Sequence, residues 1–483
     1  MKKHLFLPLV VLALTMFTGC DDQLDINRNP LAATQVDANL LFPEVLVNFS
    51  NIRESELDAR IGTIPQYYEP AFGVIGDYAL GLQSNTFLMG NVWANIYSNV
   101  LKNVTLLERT ASEAEPGTQN NILAQGKITK VLAYWQATML WEDVPYTEAV
   151  DFVTALPKFD DQETILRGLV GELDESLALI DDNSAAITTG DLIFDGDMDA
   201  WARMARSLKF KILMQIANVD ASSVSADIAA TAGQDLMVTA SQNAQLNYLD
   251  APGNYNPFWA ILNNFAGGVN PTWYIAGEVP FNLLQELDDP RLSVYYSESA
   301  DAATQGTGEF GPPAAPGSFN GSGGTAAIVS LDVIRPDRPD TYVVASETQL
   351  LLAEAIVRGL ASGDAQAAFE AGIRASMDEY DGTPAAISEE DKTAYIESLG
   401  DLGDDDEDDA LLKIRQQLYL ANFERLPDAW AEWRRTKVPT LETPAGSSVT
   451  GVVRRFFYPP DEVGANPNAP AGQPVDTPMW YEN

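Results

Sequence analysis

From Ser346 to Tyr380 the chain reads SETQLLLAEAIVRGLASGDAQAAFEAGIRASMDEY, a stretch that fits two helices folded back on each other and little else. Ser346 is placed to cap the first helix, with Gln349 at the reciprocal position of a capping box, and Gly359 supplies a left-handed stop. Asp364, after Gly363, restarts a helix in which Phe369, Gly372, Ile373, Ser376, Met377 and Tyr380 keep the three-and-four spacing of one face. The small residues Ala353, Ala355, Ala368, Ala371, Gly372 and Ala375 let two backbones approach closely, which is how helix pairs stack in repeat arrays. An ordinary alanine-rich hairpin has the same spacing.

The rest of the chain offers this hairpin partners of its own kind. Residues 36 to 60 alternate apolar and polar side chains at roughly helical spacing. Trp93, Ile96, Tyr97, Val100, Leu101 and Val104 mark one amphipathic helix; Ile128, Val131, Leu132, Trp135 and Met139 mark a second, ended by Pro145. Leu166, Leu169, Val170, Leu173, Leu177 and Ile180 form a third stripe, and Trp201, Met204, Ala205, Leu208, Ile212 and Ile216 a fourth. Helical spacing returns from Leu411 to Leu426 and from Ala429 to Thr436. Each stripe needs a neighbour to cover it, so the expected fold is mainly α, built of layered, tetratricopeptide-like helix pairs rather than a sheet.

Two stretches break the period. Ile64 to Phe87 is interrupted by Pro65, Pro70, Gly73, Gly76 and Gly81, and residues 220 to 340 are dense in Gly, Pro and Asn with aromatic side chains between them. Loops held by a rigid scaffold are where binding surfaces usually lie, so a loop-rich second lobe is expected here. The tail from Tyr458 onward reads as proline-punctuated coil.

Residues 1 to 20, MKKHLFLPLVVLALTMFTGC, combine a basic start, an apolar run from Leu5 to Phe17 and a small-residue site before Cys20. This is the pattern of a secretory signal, too short to span a membrane. Leu-Thr-Met-Phe-Thr-Gly-Cys resembles a bacterial lipobox, with Phe17 bulkier than usual, and the resemblance implies that Cys20 is lipidated and becomes the first mature residue. Several acyl chains together make such an anchor stable. Cleavage there leaves 27 of the 29 basic residues against 69 acidic ones, a formal charge of −42, and no histidine. Ser-His-Asp and Cys-His nucleophilic sites, histidine-ligated zinc and an imidazole base are excluded, and with Cys20 modified so are disulfides and thiolate metal sites. The negative field disfavours nucleic acid and other polyanions, leaving neutral ligands as the better match.

No motif replaces the missing catalytic groups. Asp195-Gly-Asp197-Met-Asp199 opens like a calcium loop but puts Ala200 where glycine is needed and Arg206 where glutamate is needed. Aspartates at a helix start suit the dipole instead. Asp404 to Asp409 reads as a solvated charge run before another helix. No metal or cofactor is expected, and nothing singles out a carboxylate pair for glycoside hydrolysis.

The loop aromatics are the candidate ligand residues: Phe72, Tyr78, Tyr255, Phe258, Trp259, Trp273 and Tyr274, with Trp93 added because it starts a helix directly after the first loop. Aromatic faces stack on the apolar faces of sugar rings without needing charge. Trp259 and Trp273 stand among Asn254, Asn256, Asn263, Asn264 and Asn270, whose amides can bond hydroxyl groups beside a stacked ring. Packing within the core or loops is the competing reading. Aromatics on regular stripes, such as Trp135 and Trp201, are assigned to the core.

Several segments together resemble the SusD/RagB family of nutrient-binding outer-membrane lipoproteins, in its SusD-like, starch-binding-associated branch. They are VWANIYSNVLKN, AYWQATMLWEDVPYTEAV, DGDMDAWARMARSLKFKILMQIAN, LDDPRLSVYY, LLLAEAIVRGL with GDAQAAFEAGIRASM, AWAEWRRTKVP and RRFFYPPDEVGANPNA, running from about residue 90 to 468. The resemblance implies a helical scaffold over about 36–218 and 341–436, a ligand lobe over about 219–340 and a coil tail over 458–483. These form one domain, 20–483, after removal of a signal peptide, 1–19. It also implies a TonB-dependent SusC-like transporter as partner, an oligosaccharide ligand, an outward-facing lipid anchor in the outer membrane, and no catalysis. Binding loops vary most between members, so no ligand contact carries over. A surface polysaccharide hydrolase or lyase using a carboxylate pair, and a peptide-capturing member of the same family, are the alternatives.

Overall fold

The apolar stripes each find a helical neighbour. A computed structural model of the chain describes residues 37–483 apart from 71–72, 84–85, 267–272, 300–308, 319–323 and 471, so Cys20, Phe72 and Asn270 lie outside the described residues. Helix α1 (Ala38–Ile52) continues through a π turn, Arg53–Leu57. Strand β1 (Tyr68–Pro70) follows, then α2 (Thr86–Ala94), which passes through a second π turn, Asn95–Leu101, into α3 (Lys102–Ser112). Next come α4 (Asn120–Trp141), α5 (Gln162–Leu179) and α6 (Met198–Ala232). Helix α3 packs on α4, α4 on α5 and α5 on α6, the layered pairing their stripes require.

Local chemistry sets most of the ends. Asp161 caps α5 by accepting the Thr164 N–H, and Asp197 caps α6 by accepting those of Asp199 and Ala200, so the calcium-like Asp195–Asp199 stretch is a helix start. Helix α4 stops at Trp141, four residues before Pro145, where Glu142 takes φ +75°. Helix α6 bends at Asp220 (φ −138°) and runs on to Ala232, well into the stretch expected to be loop.

The second lobe carries strands that the period-breaking sequence hid. It contains β2 (Ala244–Leu246), α7 (Pro257–Ala266), β3 (Tyr274–Ala276), α8 (Glu278–Glu286), β4 (Tyr296–Ser297), β5 (Ile328–Val329) and β6 (Asp340–Val343). An antiparallel sheet of order β1-β3-β5-β4 sets Tyr68 opposite Ala276 and Glu69 opposite Ile275, joining the lobe to the loop after α1; β2 and β6 form a separate ribbon. Strands of two to four residues are too short to show alternation in a sequence.

The chain returns to the scaffold with α9 (Ala345–Val357), α10 (Ala365–Asp378), α11 (Glu389–Ser398), α12 (Glu407–Ala421) and α13 (Leu426–Thr436). The hairpin α9–α10 is as expected in its turn and seam. Gly359 has φ +68°, with the Leu360 N–H reaching the Ala355 carbonyl at 2.8 Å. A Cβ on Gly372 would lie 2.6 Å from Leu350 Cγ, so only glycine permits this approach. The capping expectation fails. Helix α9 begins two residues earlier than a Ser346 cap would set, directly from β6; Ser346 is buried and bonds Glu379 at 3.1 Å, while Gln349 donates to the Met237 carbonyl. The orphan Ala345 N–H is accepted instead by Asn243 Oδ1 at 2.8 Å, across the fold. The tail is likewise more than coil: Pro460–Ala465 is a short helix, and Tyr481 is buried with its hydroxyl on the Ala431 carbonyl.

Buried ions pin these elements together. Arg53, in the first π turn, pairs with Asp340 of β6 and Asp428 of α13, both at 3.0 Å, while Lys211 and Arg425 each bind Glu347 and Asp428. Burial pushes the Asp340 carboxyl up to about 7. Burial acts on Asp428 in the same direction, but Arg425, Lys211 and Arg53 together hold it well below the carboxylate range. No helix among the described residues is long and apolar enough to cross a membrane.

Candidate functional site

The sequence Asn256-Pro-Phe-Trp starts α7 and fixes its rotation. Asn256 Oδ1 accepts the Phe258 and Trp259 N–H groups at 2.9 and 3.2 Å, and Pro257 fits the first turn. The other end of the same amide donates to Glu54 Oε2 at 2.6 Å and to the Arg338 carbonyl at 3.1 Å, tying α7 to the π turn after α1. Asn256 is therefore a buried cap and not a hydroxyl-binding amide, contrary to the expectation for it. Asn254 and Asn264 are exposed and Asn263 half-buried.

With α7 so fixed, its aromatics part company. Phe258 is buried, 5.6 Å from the Tyr274 ring and beneath the Arg338 guanidinium at 5.3 Å. Trp259 is half-buried and lies 4.6 Å from the half-buried Tyr255, just before the helix. Trp273, at the entry to β3, is also half-buried. Three more of the candidates are core. Tyr274 is 1% exposed, edge-on to Tyr68 at 4.7 Å, and Tyr78 is fully buried, edge-on to Phe456 at 5.4 Å. Trp93 is 8% exposed and packs within 6.3 Å of Tyr97, Trp141, Phe159 and Tyr458.

Tyrosines around them are buried because backbone needs them. Irregular segments leave carbonyls without ladder partners, and a tyrosine brings an apolar body with a donor at its tip. Tyr67 donates to the Tyr419 carbonyl at 2.5 Å, Tyr419 to that of Pro65 at 2.7 Å, Tyr296 to that of Tyr67 at 2.7 Å and Tyr295 to that of Leu420 at 2.9 Å. The same accounting leaves Glu69 buried with the Gly317 N–H as its bond, at 3.0 Å, and burial pushes its carboxyl up to about 8.

Beside α7 lies a cleft of about 320 Å³ that the loop-centred reading missed. It sits where the two π turns meet α7, lined by Asn51, Ser55, Asn91 and Asn95 with Ile52, Val92 and Ile261 as its apolar part. π turns recur at functional sites because they re-aim side chains within a helix. Neutral amides, a hydroxyl and short apolar groups suit a polyhydroxyl ligand without charge. One sequence signal was available: Asn91, Asn95 and Asn99 recur every fourth residue, poor helix formers spent on one polar stripe, with Asn99 donating to Asn95 at 2.5 Å.

The acidic group Asp378, Asp381 and Glu389 has the spacing of a cation site. Its centre is occupied by the Lys392 ammonium, at 2.7, 2.8 and 3.0 Å from the three carboxylates.

The family model described as "Starch-binding associating with outer membrane" matches residues 30–459. The chain belongs to the SusD-like family. Solved structures share its fold: a "chitin-binding protein" at 23% identity and TM-score 0.76, covering 89% of this chain and 94% of that one. A chitin-binding SusD homolog from Flavobacterium johnsoniae has 19% identity and TM-score 0.75, with 92% and 98% covered. A SusD homolog from Bacteroides fragilis has 24% identity and TM-score 0.70, with 93% and 99% covered. No curated protein matches the sequence. The SusD-like assignment agrees with the mainly helical, paired-helix architecture.

Proposed function

We propose that this SusD-like protein is a non-catalytic surface lipoprotein, anchored through Cys20, that binds oligosaccharide and passes it to a TonB-dependent SusC-like transporter in the outer membrane. The observation that carries the reading is the half-buried Tyr255–Trp259 pair, 4.6 Å apart across the start of a helix pinned by a buried cap, in a chain whose family is described as starch-binding. Support comes also from the neutral, amide-lined cleft on another side of α7, and from the absence of histidine after residue 4. Trp259 is the proposed stacking platform, with Tyr255 beside it and the half-buried Trp273 as a further ligand contact.

Calorimetric titration with starch and chitin oligosaccharides tests this. Trp259→Ala is expected to weaken binding about tenfold or more, taking stacking on a ring as worth about 1–3 kcal/mol, with little change in melting temperature. Unchanged affinity in a folded variant places the site elsewhere. New reducing ends on incubating the pure protein with a polysaccharide it binds would establish a hydrolase instead. Release of Cys20→Ala from membranes, still folded, checks the anchor.

A further inference from the structure

A second cleft, of about 390 Å³, opens between the β2–β6 ribbon and the C-terminal end of α10. Its lining is of two kinds. Thr239, Ser241, Gln245 and Thr341 contribute hydroxyl and amide groups, whereas the opposite wall is charged. On that wall Asp378 and Asp381 are both paired with Lys392, at 2.7 and 2.8 Å. Glu424 accepts the Tyr380 hydroxyl at 3.0 Å and lies 3.9 Å from Arg335. Arg425, behind the wall, is held by Glu347 and Asp428.

Glu379 is the exception. Its Oε1 accepts from Ser346 at 3.1 Å and from Asn243 Nδ2 at 3.3 Å; among the described residues its Oε2 accepts no hydrogen bond and no Lys or Arg pairs with it. Burial pushes this carboxyl up to about 7, against the pull of Arg425. A carboxylate facing a cleft without a counter-ion is costly to ionise, and a cation arriving there removes that cost.

We infer that this cleft binds a hydroxylated primary ammonium compound, of the class of a deacetylated amino sugar, with the ammonium on Glu379. An ammonium carries three donors and no acceptor, matching a bare carboxylate oxygen, and the neutral groups of the facing wall remain for the ligand's hydroxyls. A hard divalent cation fits poorly. It asks for six or more oxygens, and the neighbouring Asp378 and Asp381 are already on Lys392. An acetylated amine or a neutral sugar can donate a hydrogen bond to Glu379 but brings it no counter-charge, so it gains less.

The test is calorimetric titration at pH 7 with the fully deacetylated trisaccharide of chitosan, its N-acetylated counterpart and calcium chloride. The deacetylated trisaccharide is expected to bind the wild type and to bind Glu379→Gln at least tenfold more weakly, with the melting temperature unchanged because the amide oxygen still accepts from Ser346 and Asn243. Ser241→Trp, at the exposed rim, is expected to weaken it similarly. Trp259→Ala should leave this binding intact, so loss of neutral-glycan binding at α7 and loss of amine binding here are separable results. The inference is overturned if Glu379→Gln binds the amine as wild type does, if the acetylated trisaccharide is weakened by Glu379→Gln as much as the amine is, or if calcium displaces the amine from the wild type but not from Glu379→Gln.

Discussion

The paired helices and the second lobe both bury large aromatics, for different reasons. In the helices Trp135 and Trp201 lie on stripes of period 3.6, are 2% and 0% exposed, and place their indole N–H on Gln215 at 2.9 Å and Asp191 at 2.7 Å. In the lobe and the loop it joins, Tyr67, Tyr274 and Tyr296 sit on no stripe, yet are equally buried with their hydroxyls on backbone carbonyls. Periodicity therefore reveals burial only where the backbone satisfies itself. Where it does not, rings are drawn inward to complete backbone hydrogen bonds, and an irregular segment is no guarantee of a solvent-facing aromatic.

The largest effect expected from this contrast is on the helical side. Trp201→Ala should destabilise the protein by about 3–5 kcal/mol, read from the denaturant midpoint; a loss near zero would remove the stripe argument. Tyr274→Ala should cost nearly as much, about 3 kcal/mol, with glycan affinity per folded molecule unchanged. A stable Tyr274→Ala that loses its ligand would break the comparison, making the lobe aromatics a surface after all.

Glu69 probes the same buried loop through pH. Its folded carboxyl sits near 8, above the ordinary value of an unfolded chain, so the folded state holds the proton more tightly. That contribution is fully present below the unfolded value, declines as pH rises, and is gone above the folded value. Stability should fall by about 3 kcal/mol between pH 5 and 8, and Glu69→Gln should flatten that fall; an unchanged slope in the variant would assign the pH dependence to other carboxyls. Tyr67→Phe, which deletes only the hydroxyl on the Tyr419 carbonyl, should cost about 1 kcal/mol. Smallest in stability is Tyr255→Ala, expected to shift unfolding by less than about 0.5 kcal/mol while weakening oligosaccharide binding several-fold, as titration would show.

The sequence alone determined the helix pairs, because an amphipathic stripe, a capping aspartate and a left-handed glycine act within a few residues. The four stripes, the Asp197 start of α6, the Gly359 stop and the close seam at Gly372 needed no tertiary information. Tertiary structure decided the rest. Ser346 lost its capping role when β6 ran straight into α9 and Asn243 supplied the acceptor. Asn256 became a cap shared with Glu54, from a π turn some two hundred residues away. The four-stranded sheet pairs a strand before residue 71 with strands after residue 273, and segments of two to four residues carry no period to announce it. The α7 cleft and the Glu379 cleft arise the same way. Each is formed by elements far apart in the chain, and whether a polar side chain there stays free depends on which distant backbone groups have already claimed its neighbours.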